Sequence, residues 1–389
     1  MMRVPVQPRM LQWAVDRAGV TMQDVRRRFA RYDQWIAGTA HPTLKQLEDF
    51  GRYTYAAVGF FFGSEPPELT LPIPDYRTMD GARPGDPSPD LLDTVYLCQQ
   101  RQEWYVSYAR SVGAEALPFV GKFSIKTDIV EAAEAIRSAL RLDLSVRRSL
   151  PTWEDALRQF IQLADDAGIL VMVSGVVGGN NTRKLDTEEF RGFALSDRIA
   201  PLVFVNGADT KSAQMFTLAH ELAHVWLGQS ALSDSTAASV SNDDVEKWCN
   251  RVAAEVLIPL EQFELDYRPS ANIGEETQRL ARMYKVSTLV VLRRIFDSGG
   301  LGRNRFWQLY RAEVARLVAI MRNKEKSQGN YYNTTTSRVS KRFTRAIVVS
   351  ALEGRSGFTE AFRLLGCKKM STFAELGHRV GVDVGGNTG

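Results

Sequence analysis

The stretch Phe216-Thr217-Leu218-Ala219-His220-Glu221-Leu222-Ala223-His224-Val225-Trp226-Leu227-Gly228 limits what this chain can fold into more than any other. It is apolar nearly all round, the pattern of a helix enclosed in a core, yet it carries two histidines and a glutamate. Burying an unpaired charge costs several kcal/mol, so any fold that encloses this segment must satisfy or neutralise those three groups. On an α-helix, residues i and i+4 share a face. Both imidazoles therefore point at one place, and Glu221 reaches a water bound there. Metal ligation is the most economical solution, and His-Glu-x-x-His on a helix is the spacing of a zinc hydrolase. The chain has four histidines, His41, His220, His224 and His378, and half of them fall in this motif. The competing reading makes His220 and His224 ordinary hydrogen-bonded core histidines.

The local signals fit a helix of that extent. Asp209 or Thr210 caps its start, and Gly228 ends it in a left-handed turn. Two histidines leave a catalytic zinc site one protein ligand short. His378 lies far downstream in a basic tail, so a carboxylate is expected from the helix predicted to begin near Ser241, which offers Asp243, Asp244, Glu246 and Glu255. Capping and the helix dipole account for Asp243 and Asp244. At about 100° per residue, Glu246 and Glu255 lie on opposite sides of the helix. The buried stripe is expected to hold Val245, Trp248, Cys249, Val252 and Val256, with Glu246 and Asn250 bordering it one turn apart. Glu246 is the expected third ligand; without the upstream motif it would read as a surface glutamate beside a core helix.

At 389 residues, with 44% hydrophobic and 24% charged side chains, the chain is expected to form two to four globular domains. No apolar run approaches the length of a membrane span, and the start, Met1-Met2-Arg3-Val4-Pro5-Val6-Gln7, lacks the apolar stretch of a signal peptide. A cytoplasmic protein with no membrane partner is the expectation. Cys98, Cys249 and Cys367 are scattered and odd in number, which fits neither a disulfide framework nor a cysteine metal site, so they are expected as buried thiols. Charge is uneven. Residues 1–62 carry nine Arg/Lys against five Asp/Glu and residues 301–389 sixteen against six, so a basic head and tail flank an acidic body. Contact with nucleic acid, contact with an acidic partner, and docking of the tail on the body all account for this.

Residues 1–62 read as short helices with tight turns: Thr21-Met22-Gln23-Asp24 and Pro42-Thr43-Leu44-Lys45-Gln46-Leu47 open two of them. The segment resembles the helix-turn-helix domain of phage-repressor-like regulators. Between Phe29 and Trp35 there is little room for a full recognition helix, so a partner-binding helical module competes with DNA reading. Residues 63–150 are expected as a Pro/Gly-rich linker and a helical connector. Residues 151–300 hold a helix from Trp153 to Ala167, three strands at Ile169–Val173, Phe190–Leu195 and Leu202–Val205, and then the metal helix. An edge strand of such a sheet can hold an extended peptide by main-chain hydrogen bonds. Residues 301–389 read as a basic helical segment, helical from Phe306 to Met321; its run Arg322 to Asn333 is polar and basic with two tyrosines, either a solvated loop or a single-strand nucleic-acid contact. The fold class expected is α+β and mostly helical: a zincin-like core with a small three-stranded sheet, flanked by helical N- and C-terminal segments.

Gly192-Phe193-Ala194-Leu195-Ser196-Asp197, Val205-Asn206, the metal helix, and Val245-Glu246-Lys247-Trp248-Cys249-Asn250-Arg251-Val252-Ala253-Ala254-Glu255-Val256-Leu257-Ile258-Pro259 together resemble the ImmA/IrrE family of metallo-endopeptidases in order and spacing, over about residues 150–300. The resemblance implies Zn2+ held by His220, His224 and Glu246, with Glu221 catalytic. It implies a protein substrate such as a helix-turn-helix repressor or an antitoxin, in stress response, mobile-element control or toxin–antitoxin function. The alternative is a DNA- or partner-binding regulator acting through residues 1–62 or the basic C-terminal region, with a structural or vestigial metal site.

Overall fold

The structure, a computed structural model, describes residues 3–76, 86–233, 243–324 and 338–384. The chain divides into two compact units, Met1–Pro72 with Pro84–Val95, and Ile73–Arg83 with Tyr96–Gly389.

The first unit holds α1 (Pro8–Ala18), α2 (Met22–Arg28), α3 (Tyr32–Ile36) and α4 (Leu44–Thr54). Local chemistry sets their ends. The Thr21 hydroxyl accepts from the Asp24 amide to start α2, and Thr43 and Gln46 form a reciprocal capping box at α4. Met10, Leu11, Val25, Tyr32, Trp35, Leu47 and Phe50 close a small aromatic-rich core. Two of the five residues of α3, Tyr32 and Trp35, are buried in that core, leaving Asp33 and Gln34 exposed. A helix this short has few side chains to lay along a groove, as the spacing between Phe29 and Trp35 predicted.

Among the described residues, the remaining helices in chain order are α5 (Pro89–Ser111), α6 (Ile129–Leu140), α7 (Leu144–Ser149), α8 (Trp153–Asp166), α9 (Lys211–Leu227), α10 (Asp244–Leu257), α11 (Leu260–Asp266), α12 (Ile273–Tyr284), α13 (Thr288–Asp297), α14 (Arg303–Lys324), α15 (Lys341–Leu352), α16 (Phe358–Leu365) and α17 (Met370–Arg379). Among the described residues, four strands accompany them: β1 (Leu170–Ser174), β2 (Gly192–Leu195), β3 (Leu202–Asn206) and β4 (Ala231–Ser233). The protein is mostly helical with one small mixed sheet, an α+β fold consistent with a zincin-like core.

The sheet has four strands rather than the three expected, in the order β1-β3-β2-β4. β1 runs parallel to β3, with Leu170 opposite Leu202. β2 is antiparallel to both β3 and β4, pairing Leu195 with Leu202 and Phe193 with Leu232. β4 escapes a sequence reading because three residues, Ala-Leu-Ser, cannot display an alternation. Every strand residue is buried, as in a sheet covered on both faces. Val171, Val173, Ala194, Val203 and Val205 join the core around α9, while Met172 meets Arg101 of α5.

α9 packs against the sheet and against α6, α8 and α10. Thr210, not Asp209, caps its start by accepting from the Ala213 amide, and Gly228 ends it at φ 70°. Every residue from Gln214 to Leu227 is buried, which is the environment its composition demanded. The basic C-terminal segment docks on the acidic body. Ser340 hydrogen-bonds the Asp165 carboxylate, the Arg342 amide donates to it at 2.8 Å, Lys341 donates to Gln162 at 2.6 Å, and Arg101 of α5 donates to the Leu364 carbonyl at 2.8 Å. Residues 77–85 of the expected linker and residues 325–333 of the basic polar run lie outside the described residues. Among the described residues, no helix is long and apolar enough to cross a membrane. Cys98, Cys249 and Cys367 are free and buried.

Gly192 sets how closely α9 approaches β2. A Cβ there would lie 2.5 Å from Thr217 Cγ2, 2.8 Å from the Phe204 carbonyl oxygen and 3.1 Å from Glu221 Oε1. Gly192→Ala is expected to destabilise the fold by about 1–3 kcal/mol through overpacking, read as a lower denaturation midpoint at unchanged slope.

Candidate metal centre

Two helices and one strand bring the polar groups together. His220 and His224 project from one face of α9, and their Nε2 atoms lie 3.1 Å apart. Glu246, in the first turn of α10, crosses to meet them. Its Oε2 is 3.3 Å from His220 Nε2 and its Oε1 is 3.0 Å from His224 Nε2. Of the described histidines, cysteines and carboxylates, these three form the group able to hold a metal ion, and all are buried. Four ligands around zinc at about 2.0–2.1 Å stand about 3.3 Å from one another, so the separations suit one small ion.

α10 is capped by Asp243, one of the two acids assigned to the helix start. Asp243 accepts from the Val245 and Glu246 amides, whereas Ser241 lies outside the described residues. The expected stripe is present: Trp248, Cys249, Val252 and Val256 are buried, and Val245 is half-buried beside them. Glu255 is occupied elsewhere, its Oε2 accepting from Arg294 at 2.7 Å in a buried pair, and Asp244 pairs with Lys247 on the surface. One turn beyond Glu246, Asn250 Oδ1 stands 3.0 Å from His220 Nδ1. An Nδ1–H donated to that oxygen would leave the Nε2 lone pair of His220 available to an ion. His224 Nδ1 is buried with no hydrogen-bond partner among the described residues.

Glu221 is fully buried, and neither carboxylate oxygen has a hydrogen-bond partner among the described residues. Burial first, and then the charge of Glu246, push its carboxyl well above the usual range, while the neighbouring Ser233 hydroxyl acts in the opposite sense. For Glu246 burial again favours the neutral acid, but the two imidazoles outweigh it and hold the carboxyl far below its ordinary range. His224 shifts down because burial disfavours its cation, against the pull of Glu246. A carboxylate set between two ring nitrogens, beside a second buried carboxyl with no partner, is a donor set that a divalent cation would neutralise.

Two further groups join the site. Ser233, at the end of β4 and fully buried, has its hydroxyl 3.4 Å from His224 Nε2 and 3.5 Å from Glu246 Oε1. Tyr76 stacks on the His224 ring at 6.2 Å between centroids with 15° between planes. Its segment is bound to the outer edge of β4: the Tyr76 amide donates to the Leu232 carbonyl at 3.0 Å, and the Leu232 amide to the Pro74 carbonyl at 2.9 Å. The strand edge beside the site, the place expected for an extended peptide, is therefore taken by the chain's own residues 74–76.

Residues 164–296 match the IrrE N-terminal-like domain. That peptidase-family match runs from α8 to α13 and covers about a third of the chain, including α9, α10 and the whole sheet. It supports the resemblance to the ImmA/IrrE family and points to a metallopeptidase. Residues 339–379, the helices α15 to α17, match a domain of unknown function, DUF8813. No curated protein matches the chain.

Of the residues expected at the site, the structure brings His220, His224 and Glu246 within ligand spacing and sets Glu221 beside Ser233. Sequence reasoning missed Ser233 and Tyr76. Neither carries a periodic signal, since one ends a three-residue strand and the other sits in a proline-rich stretch. Asn250→Ala removes the His220 partner and is expected to weaken zinc affinity by about 10- to 100-fold, measured by competition with a chromogenic chelator.

Proposed function

We propose that this protein is a zinc-dependent endopeptidase of the His-Glu-x-x-His type, acting on a protein substrate such as a repressor-type regulator or an antitoxin. One observation carries the reading: the two histidines of a buried His-His-Glu cluster share helix α9 with a buried glutamate that has no hydrogen-bond partner among the described residues, within the segment that matches a peptidase family. His220, His224 and Glu246 are the proposed ligands. Zinc held there supplies Lewis acidity, polarising the scissile carbonyl and making water more acidic. A closed structural site has no need of a general base, so the placement of Glu221 favours catalysis over structure.

Glu221 takes the proton of the attacking water. Its burial beside the cluster, with no hydrogen-bond partner among the described residues, suits a group that accepts a proton and then releases it to the leaving amine. Asn250 fixes the His220 tautomer through Nδ1. The covered surroundings exclude bulk water, which would otherwise screen these charges. Glu221→Gln is expected to lower the rate of peptide cleavage by about 100- to 10,000-fold while zinc content stays at the wild-type level. Elemental analysis with a quenched-fluorescent peptide library checks both, and wild-type rates from the variant would end the proposal.

A latent form of the same peptidase is favoured by a specific observation. His220, Glu221, His224 and Ser233 are fully buried, and residues 74–76 are hydrogen-bonded along β4 beside His224. A peptide held on that edge needs the same Leu232 amide and carbonyl. Tyr76→Pro removes the donor to Leu232 and the ring over His224, and is expected to raise kcat/KM on short peptides several-fold. An unchanged or lower value would show that residues 74–76 do not restrain the site.

A further inference from the structure

The zinc motif and its third ligand leave one buried polar group at the site without a role, the hydroxyl of Ser233. It stands 3.4 Å from His224 Nε2 and 3.5 Å from Glu246 Oε1, and Glu221 is its third polar neighbour. The contact to Glu246 exceeds the usual 2.7–2.8 Å of an O–H···O bond, so the carboxylate holds this hydroxyl only weakly. A buried polar group so weakly held costs stability. Alanine or valine would fill a fully buried β4 position without that cost. A water bridging the hydroxyl and the carboxyl of Glu221 would satisfy both, since a buried water makes about three hydrogen bonds.

Resting on the peptidase reading, we infer that Ser233 is a positioning residue that orients the attacking water for Glu221. Its own proton points to Glu246 Oε1, the anionic acceptor within reach, which leaves the hydroxyl lone pairs free to accept. The water gives one proton to Glu221 and directs the other at Ser233 Oγ, so its remaining lone pair faces the scissile carbonyl. No proton is transferred to or from the serine; it fixes a direction. β4 makes this placement rigid: Ser233 pairs with Gly192 of β2, the glycine against which Glu221 packs. The β2–β4 pairing therefore holds Ser233 beside the glycine against which α9 sets Glu221.

The test uses the full-length zinc-loaded protein with Ser233→Ala and Ser233→Thr. Zinc affinity is measured by chelator competition, and kcat and KM by cleavage of a quenched-fluorescent peptide library. For Ser233→Ala, kcat is expected to fall about 10- to 100-fold, with KM and zinc affinity each within about threefold of wild type. Ser233→Thr keeps the hydroxyl and should retain more activity than Ser233→Ala. A zinc affinity lowered as far as in Asn250→Ala would overturn the inference by making Ser233 a ligand or a ligand support. Unchanged kcat in Ser233→Ala, with Glu221→Gln inactive, would overturn the role of Ser233 and leave the peptidase reading standing. Zinc-loaded wild type with no Glu221-dependent cleavage would overturn both.

Discussion

The structure depends on the cost of burying three ionisable side chains on one apolar helix. His220, Glu221 and His224 are enclosed among Met215, Leu218, Leu222, Val225 and Trp226, where water cannot solvate them. Unpaired charge in such a place is unstable by several kcal/mol, and the fold answers by sending other elements to it. α10 delivers Glu246 and Asn250, β4 delivers Ser233, and β2 offers a glycine where a side chain would strike Glu221. The answer is incomplete from protein atoms alone. Glu221 and His224 Nδ1 keep no partner among the described residues.

The same constraint explains how much of the site was legible in the sequence. α9 could be read because two histidines and a glutamate in an apolar helix have few physical explanations. Glu246 could be chosen over Glu255 by helix phase, and the buried Glu255–Arg294 pair gives the second glutamate its own structural task. Asn250 was visible as a neighbour of Glu246 one turn on, but its bond to His220 depends on how α10 meets α9. β4 left no trace because a three-residue strand has too few positions for alternation. Tyr76 was illegible for a different reason: main-chain hydrogen bonds between residues 74–76 and Leu232 hold its segment, and main-chain bonding carries no side-chain signature.

The flanking regions show what composition leaves open. A basic tail beside an acidic body suited nucleic acid, an acidic partner or self-docking, and the structure shows Lys341, Arg342 and Ser340 engaging Gln162 and Asp165 of α8. That docking accounts for part of the charge asymmetry within the chain itself. The N-terminal unit has a well-filled core of its own, and its shortest helix spends Tyr32 and Trp35 on that core.

The central claim is that His220, His224 and Glu246 hold one zinc ion beside Glu221. Anomalous diffraction from crystals of the zinc-loaded protein, collected on both sides of the zinc absorption edge, tests it most directly. The account predicts a single strong peak within about 2.0–2.2 Å of both Nε2 atoms and the Glu246 carboxylate, absent in a His220→Ala crystal. A peak ligated by other residues, or none at the α9–α10 contact at saturating zinc, would contradict it.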